Sequence, residues 1–192
     1  MQKLPRSFYL RPTLQVAPDL LGKYIVRVLP DHTLIGKIVE VEAYLHNDPA
    51  CHAYKGKTKR NEVMFQQGGK LYVYFTYGMH YCANVVTEEE GIGSAVLIRG
   101  IEPISGIQFM EQKRGLTGFN LTNGPAKICQ AFALERNENG MDLLGNEIYI
   151  TEGESVKIRQ IEASTRIGIS IGTEKLWRFF IKDNPWVSKK PR

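Results

Sequence analysis

Residues 34–44, LIGKIVEVEAY, decide the fold. Val39, Val41 and Ala43 alternate with Glu40, Glu42 and Tyr44, so the segment reads as a strand with one apolar face and one face carrying two carboxylates. Upstream, Tyr24 to Leu29 forms a second strand, joined to the first by a turn at Pro30-Asp31. Before it, residues 13–23 read as a short amphipathic helix, with Thr13 as its cap, Leu14, Leu20 and Leu21 as apolar positions and Gly22 as its stop. Downstream, residues 46–62 lose all periodicity to Pro, Gly and Asn and are expected to be loop. LYVYFT (71–76) and YCANVV (81–86) flank Tyr77-Gly78-Met79 as a hairpin, and AVLIR (95–99) is a further strand. Helices are predicted from Gly106 to Gln112 and from Pro125 to Leu134, separated by the flexible segment GLTGFNLTNGP. Short strands are predicted at Glu147–Ile150, Val156–Gln160, Arg166–Ile171 and Arg178–Ile181. No repeat, low-complexity tract or linker divides the chain, which reads as one mixed α/β (α+β) domain over residues 1–192.

The composition agrees. With 192 residues, 43% of them hydrophobic and 23% charged, the chain has globular usage, and folding should bury about 70% of its extended surface. Lys plus Arg number 25 against 20 Asp plus Glu, giving a formal charge of +5. That balance suits a polyanionic partner and is equally found in proteins that have none. The first residues hold no continuous apolar run, and no eighteen-residue apolar stretch follows, so neither a signal peptide nor a membrane span is expected. The expected location is intracellular: cytoplasmic, at the nucleoid, in a bacterium, and nuclear in a eukaryote. Cys51, Cys82 and Cys129 are odd in number and widely spaced, which argues for buried thiols over a disulfide framework or zinc ribbon.

Several residues carry possible chemistry. Glu40 and Glu42 leave the same strand face about 7 Å apart, and like charges that close raise one carboxyl pKa, which favours acid or base duty. The alternative is a solvated strand face. Tyr44 continues that face, and Tyr72 and Tyr74 share another, so acidic and aromatic groups can converge; sheet packing alone would also produce such tyrosines. His46, Asp48, Cys51 and His52 are all metal-capable within seven positions, although their spacing fits no familiar zinc pattern. Lys55, Lys57, Lys59 and Arg60 can track phosphates or form a solvated surface. The Tyr77–Met79 tip beside them makes an exposed aromatic wedge next to a basic stripe, a combination suited to distorting nucleic acid. Asn84 stands in a strand, and Arg99 ends one. Arg99 is either a boundary residue or a group that holds a carboxylate and orients a water. Gly168, in TRIGI, allows close backbone approach to a ligand or a simple bend. Two readings of these residues compete: a non-catalytic nucleic-acid-binding module using the basic loop and hairpin, and a metal-dependent hydrolase built on His46, Asp48 and His52.

Taken in order, LLGKYIVR, GKIVEVEAYL, the CHA loop, RNEVMF, LYVYFTYGMHYCANVV, AVLIRGIEP, TNGPAKICQAF, TRIGI, LWRFF and PWVS resemble the alkyladenine (3-methyladenine) DNA glycosylases of the mammalian type, over almost the whole chain. The resemblance implies a single α/β domain with a central, largely antiparallel curved sheet, flanking helices and a protruding β-hairpin. It implies a monofunctional enzyme that acts as a monomer on double-stranded DNA containing damaged purines, with no cofactor, no metal and no membrane. Carried over by position, Glu42 matches the general base, and Arg99 the arginine that holds the attacking water together with the Ile167 carbonyl. Tyr44, His52 and Tyr74 match the rings around the flipped base, and Asn84 the residue that crowds the amino group of normal guanine. Tyr77 matches the intercalating residue, with Met79 beside it at the DNA-contacting tip. Lys57, Arg60 and Lys127 lie where basic residues of the family approach phosphates. Glu40 is left a supporting role. Departures fall at His80 and Tyr81, after the tip, and at Cys51 and Ala53, which flank His52.

Overall fold

The computed structural model describes residues 2–76 and 79–188, so the expected wedge residue Tyr77 lies outside the described residues. The strand read first in the sequence is the axis of the molecule: β2 runs from His32 to Tyr44, longer than its neighbours. On one edge, β5 (Ser94–Ser105) pairs with it antiparallel along most of its length. Two strands share the other edge: β1 (Tyr24–Leu29) takes residues up to Lys37, and β8 (Arg178–Ile181) takes Glu40, Val41 and Glu42. β3 (Leu71–Thr76) and β4 (His80–Thr87) extend the sheet beyond β5, and β6 (Ile148–Thr151) extends it beyond β1, giving the order β3-β4-β5-β2-β1-β6. β7 (Ile161–Ser164) pairs with β8. All these pairings are antiparallel, and the β2–β5 ladder shifts register at Ile38/Glu40 and Glu40/Val41. Such bulges sharpen local twist, so the sheet curls around the two glutamates into a mixed α/β single domain.

Helices cover one side. α1 (Arg6–Tyr9) and α2 (Thr13–Asp19) precede the sheet, and α3 (Ile107–Arg114) and α4 (Pro125–Ala131) follow β5. The main core joins Val16 and Leu20 from the α2 region, Ile38 and Val41 from β2, Ile98 and Ile101 from β5, and Ile128 and Phe132 around α4. A smaller cluster, Cys51, Ala53, Val63, Met64, Tyr72, Val86 and Ala95, pins the 46–62 loop to the sheet. The three cysteines are free and buried. Among the described residues no helix is long and apolar enough to cross a membrane.

Four sequence expectations need correction. α2 stops at Asp19, and Thr13 does not cap it: Pro12 occupies the cap position, while the Thr13 hydroxyl bonds Thr87 at 2.8 Å and also Glu88. Residues 156–160 form no strand; Ile158–Gln160 is a single 3-10 turn. Residues 166–171 form no strand either, since Gly168 takes φ +79° and the strand that pairs with β8 comes earlier, at Ile161–Ser164. Finally, the carboxylate face of β2 is not solvated. Glu40 and Glu42 are both fully buried, because strands flank β2 on both edges at that point and the segments around residues 167 and 188 fold over it.

Candidate active site

Glu42 sits in the middle of the curl, opposite Leu97 on β5 and Arg178 on β8. One carboxylate oxygen, Oε1, accepts the Ile167 N–H at 2.7 Å; the other, Oε2, accepts the Tyr44 hydroxyl at 2.9 Å. Arg99 adds Nη1 to Oε2 and Nε to Oε1, each at 3.4 Å. A tight guanidinium–carboxylate fork closes to about 2.7–2.9 Å, so Arg99 orients the carboxylate without locking it into a short pair. Burial, the largest influence, pushes the Glu42 pKa up and Glu40 pushes the same way; Arg99, the Ile167 amide and Tyr44 pull it down, and the net shift is upward. A carboxylate in that condition is a better proton acceptor than one on the surface.

Glu40, on the same strand, has a different job. It accepts Arg178 Nε at 2.7 Å, the Ser188 N–H at 2.6 Å and the Ser188 hydroxyl at 2.8 Å, with Arg99 Nε at 3.4 Å. Gly100 makes room for this: a Cβ there would lie 2.8 Å from the Trp186 carbonyl oxygen and 3.0 Å from the Glu40 Cβ. The chain therefore passes tightly over β5 and delivers Ser188 onto Glu40. Arg99 bridges the two carboxylates, and Glu40 is the saturated one.

A cavity of about 560 Å³ opens beside Glu42, lined by Tyr44, His52, Tyr72, Tyr74, Asn84, Arg99 and Ile167, among others. Tyr72 and Tyr74 alternate on β3 with Val73 and stack at 5.4 Å between centroids. His52, held out from its loop by buried Cys51 and Ala53, meets the Tyr74 ring edge-on at 4.5 Å, and its Nδ1 lies 3.1 Å from the Tyr72 hydroxyl. Burial and the nearby Arg60 charge both push the His52 pKa down, so its ring is neutral at neutral pH. Desolvation pushes the Tyr44 and Tyr74 phenols up and the Tyr72 phenol to about 12, so all three keep their protons. Asn84, buried on β4 opposite Tyr72, donates from Nδ2 to the Tyr72 carbonyl at 3.1 Å. The wall is thus built of flat rings and neutral donors, suited to a planar heterocycle.

The basic residues lie outside. Arg60 stands at the mouth, donating to the Phe75 carbonyl at 3.2 Å with its guanidinium 5.9 Å from the Tyr74 centroid. Lys57 is exposed on the same loop, and Met79, at the end of the described hairpin, is 81% exposed. Lys127, near the start of α4, donates to Asn123 at 2.7 Å and Asn120 at 3.2 Å. A larger hollow of about 890 Å³ beyond Arg60 is lined by Lys59, Phe75 and Arg136, among others, and by none of the three residues that bond Glu42, whereas Tyr44, Arg99 and Ile167 all line the cleft. Asp48 is engaged otherwise than a metal ligand: it pairs with Arg166 and, at 3.2 Å, with Lys175. Among the described residues, no three His, Cys, Asp or Glu side chains group to hold an ion.

Of the residues singled out in the sequence, the structure brings Tyr44, His52, Tyr74, Asn84, Arg99 and Ile167 together around one cleft, with Glu42 bonded to three of them. The sequence reading misses Arg178, Ser188 and the Asp48–Arg166 pair, although LWRFF, PWVS and TRIGI contain three of the four. For Ile167 the contact found is its N–H on Glu42, where a carbonyl role is expected.

The chain resembles known proteins end to end. Residues 7–185 match the model of the methylpurine-DNA glycosylase family. A relative from Carboxydothermus hydrogenoformans, named "Putative 3-methyladenine DNA glycosylase", is 56% identical over 97% of this chain and 99% of its own length. Proteins of the same name from Chlorobium luteolum and Legionella pneumophila are 48% and 50% identical, each over 98% of this chain and over 98% and 100% of their own lengths. A DNA glycosylase, an enzyme of DNA repair, is the class these matches define. The chain belongs to the methylpurine-DNA glycosylase family, and DNA is its substrate. The reading as a non-catalytic module is displaced.

Proposed function

We propose that the protein flips alkylated or deaminated purines, including 3-methyladenine, 7-methylguanine, hypoxanthine and ethenoadenine, out of duplex DNA into the cleft, and hydrolyses the N-glycosidic bond to leave an abasic site. A base inside a duplex is unreachable, so extrusion costs a few kcal/mol of pairing and stacking, less at a lesion. The Tyr77–Met79 tip fills the vacated step, and Lys57, Arg60 and Lys127 steady the phosphates. Tyr44, Tyr74 and His52 surround the base; a cationic alkylpurine gains about 1–2 kcal/mol from desolvated ring faces. Asn84 crowds the amino group of normal guanine and keeps it out.

The bond between C1′ and the purine nitrogen then breaks with its electron pair leaving on the base, through an oxocarbenium-like state. Water forms the new C1′–O bond and gives its proton to Glu42, while Arg99 and the Ile167 segment hold that water. Water is the only nucleophile, so the enzyme is monofunctional, and it acts as an intracellular monomer. The single observation carrying this reading is the buried Glu42, its pKa raised, bonded directly to Tyr44, Arg99 and Ile167, which line an aromatic cleft in a DNA glycosylase. The test is a set of duplexes each bearing one lesion, incubated and then cleaved with alkali. Abasic product is expected from the parent protein. Glu42→Gln should lower release by about 10²–10⁴-fold and leave lesion binding intact; an active Glu42→Gln protein would remove Glu42 as base.

A further inference from the structure

The Ile167 amide that steadies Glu42 comes from a segment that has no strand ladder, residues 166–171. What holds that segment is the side chain just before it. Arg166 is 5% exposed and reaches five features at once. Its Nη1 donates to Asp48 and, at 2.9 Å, to the carbonyl of Ala43, the residue between Glu42 and Tyr44. Its Nη2 donates to the Gly172 carbonyl at 3.3 Å, closing its own loop. Its guanidinium lies 4.7 Å from the Tyr44 ring centroid and 5.1 Å from that of Trp177. Asp48 takes Lys175 as well, at 3.2 Å, so one carboxylate grips the loop at both ends. Gly172 has φ +66°, and a Cβ on it would come 3.0 Å from Asp48 Oδ1 and 3.2 Å from Arg166 Nη2. Burial alone would raise the Asp48 pKa, but Arg166 and Lys175 outweigh it and hold the carboxyl below its ordinary value, charged at neutral pH.

We propose that Asp48 and Arg166 form a buried clamp that places two of Glu42's hydrogen-bond donors, the Ile167 N–H and the Tyr44 hydroxyl, making Asp48 and Arg166 positioning residues for the glycosylase reaction. The inference rests on the reading of Glu42 as base. One guanidinium packs on the Tyr44 ring, bonds the strand between Tyr44 and Glu42, and belongs to the residue covalently next to Ile167. Moving it moves both. The charged and titratable groups that otherwise face Glu42 are Arg99 from β5, Glu40 and Tyr44 from β2, Tyr74 from β3, Cys82 from β4 and Arg178 from β8. Substituting Asp48 or Arg166 removes none of the six and displaces only Tyr44 among them, which the clamp places, so an altered Glu42 titration reports the clamp.

The experiment compares Arg166→Lys, Asp48→Asn and Lys175→Gln with the parent protein, measuring kcat, KM and the pH profile of hypoxanthine release from duplex DNA. Arg166→Lys and Asp48→Asn are expected to lower kcat by up to about 10²-fold with KM nearly unchanged, as for a misplaced catalytic group. The acid limb of the kcat profile should move to higher pH, because a carboxylate that loses a donor holds its proton more tightly. Lys175 is only part-buried, so Lys175→Gln keeps its fold and should show the same shift in smaller measure. Lower thermal stability with kcat and the acid limb both unmoved would overturn the clamp and leave Asp48–Arg166 a plain structural pair. Glu42→Gln assayed in parallel separates the two claims: an active protein there removes the base itself, whereas an inactive one with unmoved limbs in the other variants removes only the clamp.

Discussion

Tyr44 and Glu42, two residues apart on one strand, are joined side chain to side chain by the 2.9 Å hydrogen bond from the phenol to Oε2. Neighbours at that spacing on a flat strand stand about 7 Å apart at the backbone and point in parallel. Here the long phenol leans back along the strand and closes the gap, so a ring of the cleft wall also orients the carboxylate. Removing only the hydroxyl separates these duties. Tyr44→Phe is expected to lower the single-turnover rate by about tenfold, the lower end of what a hydrogen bond to a charged group is worth, with lesion affinity nearly unchanged because the ring remains. Rates and affinities measured on the same duplex check it.

The raised pKa of Glu42 sets the pH dependence. A general base works as the carboxylate, so turnover falls as pH drops through that raised pKa, above the ordinary carboxylate value. A cationic alkylpurine leaves unaided, and its rate should be flat above the limb. Hypoxanthine is neutral and needs a protonated leaving group, so its rate should fall again at alkaline pH. Single-turnover profiles on the two lesions, one sigmoidal and one bell-shaped, check this.

Glu40 should matter chiefly to the fold. Glu40→Ala strips Arg178 of its 2.7 Å carboxylate partner and Ser188 of both its bonds, in a fully buried place. Removing one member of a buried pair costs about 3–5 kcal/mol, which urea unfolding would read as a lower midpoint. Arg99 also loses its contact with Glu40, so activity in the folded fraction should drop as well.

Lys57 is exposed and offers a clean test of phosphate tracking. Lys57→Ala should weaken DNA binding alike for damaged and undamaged duplexes. The slope of log affinity against log salt should fall by about 0.9, the value of one phosphate contact. Titrations at several salt concentrations check it.

What could be read in advance follows a physical line. β2, β3, β4 and β5 are legible because alternation along a strand is local, and Glu42, Tyr44, Tyr72 and Tyr74 come with them. The burial of Glu40 is not legible, because it depends on β8 and on Ser188, whose bonds reach back 138 and 148 residues. The sequence pattern puts Arg166 on a strand; it is instead a buried cation whose carboxylate lies 118 residues upstream, in a loop of metal-capable residues whose spacing fits no familiar zinc pattern. TRIGI has the apolar pattern of a strand, and only the tertiary pull of Asp48 and Glu42 makes it a loop. His52 looks like one polar residue among many until Cys51 and Ala53 are seen anchoring it from either side.

Those cysteines bear on the chemical setting of the enzyme. The electrophiles that methylate purines attack thiolates far faster than thiols. Desolvation pushes the Cys51 pKa up to about 11, so at neutral pH only about one molecule in ten thousand carries the reactive anion there. Cys82, which lines the cleft, and Cys129, behind it, are pushed up too. A repair protein exposed to the same alkylating agents as its DNA thus keeps its three cysteine sulfurs as thiols, their less nucleophilic form.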